Sequence, residues 1–150
     1  AEDDAEATDP RALCALIVQD ANRAGKVVSL GSSMGDGILL MRHLAIRRAV
    51  DNLIANANRY GKNPELSFAL TEKSLCISVE DAGPGIPPEQ RDEAIKPFSR
   101  LDPARNQDRG SGVGLGLAIT ADIARAHGGV LRLGTSERLG GLKADIVIAR

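Results

Sequence analysis

Residues 66–86 read LSFALTEKSLCISVEDAGPGI. Leu66, Phe68 and Leu70 alternate with polar neighbours, as do Leu75, Ile77 and Val79, and residues 71–74 supply a short polar link. Period-two alternation on both sides of such a link predicts an antiparallel hairpin with one buried face. Asp81 ends the second strand, so its carboxylate falls at the rim of the apolar layer, and Gly83 and Gly85 follow it in a turn.

Working outward, residues 44–60 carry Ile46, Val50, Leu53, Ile54 and Ala57 as a one-sided apolar stripe at helical spacing. Residues 10–21, opened by Pro10, and residues 114–126, with Leu115, Ile119, Ile123 and Ala126 on one face, predict two more helices. The second of these stops at His127-Gly128-Gly129. Residues 130–133 and 142–148 close the chain as another hairpin, with Leu142, Ala144, Ile146 and Ile148 inward. Residues 27–30 and 38–41 read as two short strands flanking a flexible Gly-Ser turn, GSSMGDG, and residues 88–95 as a short helix. The acidic residues 1–9 read as a solvated tail or linker, with the boundary at about residue 10. Helices and mainly antiparallel strands in mixed order imply an α+β fold: a two-layer α/β sandwich with about five strands packed on about three helices.

The composition excludes several roles. With 150 residues, 43% of them hydrophobic, the chain suits one domain with a single core. A net charge of -1, two Phe, one Tyr and no Trp offer neither a basic field nor stacking platforms for nucleic acid. Cys14 and Cys76 form no metal-type pair and read as reduced thiols, which points to the cytoplasm. No apolar run reaches the ~20 residues of a membrane span. The start at Ala1 reads as a piece of a longer protein, whose anchor would lie upstream.

Three short patterns carry chemistry. Asn52 and Asn56 are four apart on the helix of residues 44–60, with Arg59 and Tyr60 one turn further on. They are either solvated surface amides or ligands for a Mg²⁺ ion whose remaining ligands are phosphates and water, Asn56 being the metal ligand. Asn is a mediocre helix former, so a pair in register is an odd choice for surface alone. Asp81 with Gly83 and Gly85 is either a plain turn or a site where a carboxylate accepts from an adenine amino group while the glycines let a flat ring approach the backbone. The run Gly110-Ser111-Gly112-Val113-Gly114-Leu115-Gly116 is either a linker or the N-terminal phosphate site of the following helix. Its alternating glycines fit neither the dinucleotide fingerprint nor the P-loop. His43 and His127 lack acidic or metal partners in sequence and read as structural.

Asn52-x-x-x-Asn56-Ala57, Asp81-x-Gly83-x-Gly85, Lys96-Pro97-Phe98-x-Arg100 and Gly112-x-Gly114-x-Gly116-Leu117 stand in the order and spacing of the asparagine, first glycine, phenylalanine and second glycine boxes. Residues 11–150 thereby resemble the catalytic and ATP-binding domain of bacterial sensor histidine kinases of the osmosensor type, within the GHKL ATPases with their Bergerat fold. The resemblance implies ATP and Mg²⁺ as ligands: Asn56 on the metal, Asn52 supporting phosphates or metal, and Arg59 and Tyr60 on the phosphate and ribose side. It implies that Asp81 reads the adenine amino group, with Gly83, Gly85 and Ile86 forming the base pocket. It implies a mobile ATP lid over about residues 87–111, anchored by Phe98, with Arg100 and Arg105, or Arg109, facing phosphate. Gly112, Val113, Gly114, Leu115, Gly116 and Leu117 would receive the phosphates, and Gly140 and Gly141 loosely resemble the last glycine box. Val113 stands where Thr is common, which removes one hydroxyl contact, and Gly110 is an added glycine that loosens the hinge.

Where ATP-hydrolysing relatives carry a water-activating Glu, this chain has Asn52, which takes no proton at neutral pH. The implied reaction is therefore phosphoryl transfer to a histidine on a dimerisation domain of the parent chain and on to a response regulator aspartate. The parent would be a homodimer in the bacterial membrane, and this piece a monomer. The rival readings are a degenerate nucleotide-sensing module and an anti-sigma-type serine kinase of the same superfamily.

Overall fold

A computed structural model describes residues 4–96 and 116–150. In chain order these form β1 (Glu6–Thr8), α1 (Pro10–Arg23), β2 (Ser29–Leu30), β3 (Leu39–Met41), α2 (His43–Tyr60), β4 (Lys62–Leu70) and β5 (Ser74–Ala82). A 3₁₀ turn (Pro88–Gln90) runs into α3 (Arg91–Ile95), and α4 (Gly116–Ala126), β6 (Val130–Thr135) and β7 (Leu142–Ala149) follow.

The hairpin of residues 66–79 forms in the expected register, with Leu66 opposite Val79, Phe68 opposite Ile77 and Leu70 opposite Leu75. All six side chains are buried. β4 and β5 lie inside a five-stranded sheet of order β2-β4-β5-β7-β6, antiparallel except for the β2–β4 pair. Leu142, Ala144, Ile146 and Ile148 of β7 bury on the same alternation. Helices α1, α2 and α4 cover this apolar face. The opposite face carries Glu65, Ser78, Glu80, Lys143 and Asp145, whose side chains pair with one another or with Arg132, Ser136 and Arg138. Polar pairing replaces a second helical layer, and the result is the expected two-layer α/β sandwich. The short helix read at residues 88–95 forms as the 3₁₀ turn and α3, beside the three helices of the sandwich.

Local chemistry sets the ends of the elements. Asp9 caps α1 by accepting from the Arg11 N–H at 2.9 Å, and Pro10 occupies the first helical position, where no N–H is needed. α2 buries Ile46, Ala49, Val50, Leu53, Ile54 and Ala57, the stripe read from sequence plus Ala49. Asn58 projects away from this stripe, accepts from the Val27 N–H at 2.9 Å and donates to the Val27 carbonyl at 3.0 Å, which ties the α1–β2 link to α2.

Two expectations are corrected. Residues 6–8 are not tail: they pair antiparallel with β3, Ala7 opposite Leu40, because β3 offers a free ladder that three residues of almost any composition can complete. The Gly-Ser stretch is not a free turn either, and β2 and β3 do not pair with each other. Instead it runs along the edge of β4, with the Phe68 N–H donating to Ser33 Oγ at 3.0 Å and Met34 bridging to Ala69. This covers an edge that would otherwise present unpaired backbone groups.

Burial pushes the Cys14 thiol up from 9.0 to about 12, with Arg11 acting weakly in the opposite sense. The sign follows from linkage. Below 9.0 the thiol is neutral in both folded and unfolded chains; as pH rises toward about 12 only the unfolded chain releases the proton, so folding stability falls across that window. Cys14→Ala is expected to flatten the alkaline loss of melting temperature. Thiol labelling of the native protein is expected to modify only the half-buried Cys76 until denaturant is added.

Candidate functional site

The site assembles where α2, the end of β5 and the start of α4 meet. α2 and α4 pack together, and the hydrogen bonds that link Ala49 to Thr120 and Arg42 to His127 make them antiparallel. Buried Thr120 donates to the Gly116 carbonyl at 2.9 Å and to the Ala49 carbonyl at 3.4 Å. At the other end, the Arg42 N–H that opens α2 donates to His127 Nε2 at 3.1 Å. His127 Nδ1 lies 2.9 Å from the Ile123 carbonyl, which assigns the proton to Nδ1 and leaves Nε2 as the acceptor. The structural role read for His127 thus has a definite form: it holds one end of the helix pair.

At ~1.5 Å rise per residue, Asn52 lies about one turn beyond Ala49 while Gly116 lies about one turn before Thr120. The two antiparallel helices therefore bring Asn52 level with the first turn of α4. Asn52 is half-buried, and its Nδ2 is buried with no hydrogen-bond partner among the described residues. A buried amide donor without a partner costs free energy unless an acceptor arrives. Asn56 and Tyr60 are half-buried one and two turns on, and Arg59 is exposed at the end of α2. Gly116 and Leu117, both half-buried, open α4, whose N-terminal N–H groups and dipole favour an anion.

Asp81 is 4% exposed, rare for a carboxylate. Its Oδ1 accepts from the Leu142 N–H at 3.2 Å, and its backbone carbonyl accepts from the Gly141 N–H at 3.0 Å. Glycines make room for it. A Cβ on Gly61 would stand 2.5 Å from Asp81 Oδ1 and 2.7 Å from Oδ2, closer still to Cγ. A Cβ on Gly141 would stand nearest Asp81 Oδ1, 2.5 Å from the Asp81 carbonyl oxygen and 2.6 Å from the Gly83 nitrogen. The approach of Gly61 is prepared by the entry of β4: Pro64 lacks an N–H, the register shifts between Lys62 and Glu65, and Lys62 ends up opposite Ala82.

Of the residues read from sequence, Asn52, Asn56, Arg59, Tyr60, Asp81, Gly83, Gly85, Ile86, Gly116 and Leu117 are described. Gly83 lies against Gly61 and the Tyr60 carbonyl, which puts the end of α2 beside the end of β5. Gly85 has φ 68 and faces Gly141. Ile86 is buried in the core. Of Gly140 and Gly141, a loose resemblance in sequence, Gly141 lies against Asp81, while the Gly140 N–H donates to the Ser136 carbonyl in the adjoining turn. Phe98, Arg100, Arg105, Arg109, Gly112, Val113, Gly114 and Leu115 lie outside the described residues, as does the lid beyond residue 96.

Sequence reading missed Gly61 and Arg91. Arg91 donates from Nε to the Ile86 carbonyl and from Nη2 to Thr135 Oγ1, both at 2.9 Å, and so ties the turn after Asp81 to the β6–β7 hairpin. No local pattern marks either residue; only the Arg59-Tyr60-Gly61 ending of α2 hints at the first.

Residues 41–148 match the family described as Histidine kinase-, DNA gyrase B-, and HSP90-like ATPase. Sensor protein RstB of Escherichia coli (strain K12) is 48% identical over 99 residues, covering 65% of this chain and 22% of that protein. Sensor histidine kinase CpxA of the same strain is 36% identical over 128 residues, covering 85% of this chain and 28% of that protein. The chain thus spans about a quarter of the length of these relatives. Among solved structures, the histidine kinase domain of the E. coli osmosensor EnvZ superposes with a TM-score of 0.71 at 37% identity, over 97% of this chain and 89% of that one. The ATP binding domain of PrrB from Mycobacterium tuberculosis superposes with a TM-score of 0.78 at 29% identity, over 98% of both chains.

Proposed function

Because the chain belongs to the Histidine kinase-, DNA gyrase B-, and HSP90-like ATPase family, and within it groups with the sensor histidine kinases, we propose that residues 11–150 position Mg-ATP for transfer of its γ-phosphoryl group to a histidine. That histidine would lie on the dimerisation domain of the parent chain, outside this sequence, and a response regulator aspartate would receive the group next. The parent would be a membrane-anchored homodimer that holds this unit in the cytoplasm. Among the described residues no helix is long and apolar enough to cross a membrane.

The observation that carries the reading is the buried Asp81 carboxylate, cleared by glycines and oriented by the Leu142 N–H. A carboxylate kept at the mouth of an apolar layer suits an exocyclic amino donor such as that of adenine. The Nδ2 of Asn52, without a partner among the described residues, is a donor, so Asn52 fits a phosphate oxygen better than a metal. Asn56, one turn on, can turn its amide oxygen toward Mg²⁺. The metal would neutralise charge on the phosphate oxygens.

From there the chain acts by placement. The N-terminus of α4 holds the phosphates, and Asp81 fixes the base at the other end, so the γ-phosphoryl faces outward for in-line attack. The accepting histidine nitrogen forms the new N–P bond as the bond to the ADP oxygen breaks. Asn52 takes no proton from water, which keeps hydrolysis slow, while a neutral imidazole attacks through its unprotonated nitrogen and releases the proton of its other nitrogen to solvent. Joined to its helical dimerisation domain, the protein should yield an acid-labile phosphohistidine. Acid-stable phosphoserine would favour the serine kinase reading, and no label the degenerate module.

Asn56→Ala is expected to abolish the enhancement of nucleotide affinity by Mg²⁺, so that titrations with and without chelator coincide. Ala is the better helix former and the position is not in the core, so the domain should stay folded. A retained Mg²⁺ effect would remove Asn56 from the metal.

A further inference from the structure

Behind Asp81 the β6–β7 turn, residues 136–141, is held to the sheet at more points than its own closure needs. The turn closes through the Ser136 N–H to the Gly141 carbonyl at 2.8 Å and the Gly140 N–H to the Ser136 carbonyl at 2.7 Å. Ser136, fully buried, also donates from Oγ to Glu80 Oε1 at 3.1 Å and accepts from the Leu139 N–H at 3.1 Å. From the tip of the turn Arg138 reaches across the open face of the sheet. Its guanidinium forks onto Glu65 of β4, Nη2 to Oε1 at 2.6 Å and Nη1 to Oε2 at 3.2 Å, and its Nη2 lies 3.6 Å from Glu80 Oε2 on β5. Glu65 is itself seated against Gly31, where a Cβ would stand 2.9 Å from Oε1.

The turn that Arg138 anchors delivers the Gly141 and Leu142 N–H groups to the backbone and carboxylate of Asp81. We infer that Arg138 is a positioning residue for base recognition: braced on Glu65 and Glu80, it holds the turn that aims the Asp81 carboxylate. The inference rests on the adenine role proposed for Asp81. An isolated surface ion pair contributes little, but a bidentate fork shared between two carboxylates, 22% and 14% exposed, is the geometry in which such pairs count. Asp81 Oδ1 accepts from the Leu142 N–H, so slack in the turn reaches the acceptor. The phosphate end of the site, on α2 and α4, does not share this brace.

The test compares binding of a non-hydrolysable ATP analogue, its inosine counterpart and inorganic tripolyphosphate to the wild type, Arg138→Ala, Arg138→Lys, Glu65→Gln and Asp81→Asn. Inosine presents a 6-oxo group where adenine presents the amino donor, so the adenine-to-inosine affinity ratio reads the aim of Asp81. Arg138→Ala and Glu65→Gln should lower that ratio about threefold, the effect of one well-formed ion-pair network. Tripolyphosphate affinity should not change, and Arg138→Lys, which keeps the charge without the fork, should fall between. Raising salt should erode the wild-type ratio and leave that of Arg138→Ala alone. An unchanged ratio in Arg138→Ala and Glu65→Gln beside a collapsed ratio in Asp81→Asn overturns the inference and spares the adenine reading. A parallel loss of tripolyphosphate binding also overturns it, since that marks general loosening. An unchanged ratio in Asp81→Asn overturns both. Should Arg138→Ala fail to fold, Glu65→Gln and the salt titration decide.

Discussion

Asp81→Asn is expected to weaken binding of a non-hydrolysable ATP analogue by roughly 10- to 150-fold, the equivalent of ~1.5–3 kcal/mol for a hydrogen bond to a charged acceptor. The substitution is nearly isosteric. Its amide oxygen can still accept from the Leu142 N–H, which engages Oδ1 in the native protein. That leaves an NH₂ group, a donor, toward the adenine amino group, so an attractive pair becomes a donor facing a donor. The enclosing glycines leave no space for the amide to swing aside. Circular dichroism should show an intact fold, because a buried carboxylate exchanged for a neutral amide relieves desolvation. Calorimetric titration giving native affinity in this variant would dismiss Asp81 as the base-reading residue.

The parts of this domain that sequence made legible are those whose cause is local or periodic. The α2 stripe from Ile46 to Ala57 and the alternations of β4, β5 and β7 each repeat one burial decision several times, so a stray residue does not hide the pattern. Asp81 was legible because it interrupts such an alternation at its end with a charge. β1 was not, since Glu6-Ala7-Thr8 becomes a strand only because β3 lies beside it. Asn52 and Asn56 could be placed on one face of a helix, but the partnerless state of Asn52 Nδ2 among the described residues depends on how α4 is set against α2. Gly61 and Arg138 were invisible for the same reason: each answers to a residue on another strand, Asp81 for one and Glu65 for the other.

That dependence of Gly61 on Asp81 makes a sharper experiment than either substitution alone. Gly61 has φ -121, a backbone angle that alanine adopts without strain, so Gly61→Ala adds nothing but a methyl group. The three nearest atoms to that methyl all belong to the Asp81 side chain. Forcing the overlap should cost about 1–3 kcal/mol of stability and, by displacing the carboxylate, should weaken nucleotide binding as much as Asp81→Asn. In an Asp81→Ala background the obstructing atoms are gone, and the same methyl should fill the space left behind with little or no loss of stability. A double-mutant cycle followed by thermal melts should therefore show a coupling of most of the single-mutant cost. Gly141→Ala is the control, because its methyl would meet not only Asp81 Oδ1 but also the Asp81 carbonyl oxygen and the Gly83 nitrogen, backbone atoms that truncating Asp81 leaves in place. Most of its cost should persist in the Asp81→Ala background, because two of those three overlaps are with backbone. Equal relief of both glycine variants, or of neither, would mean that the carboxylate is not seated against Gly61.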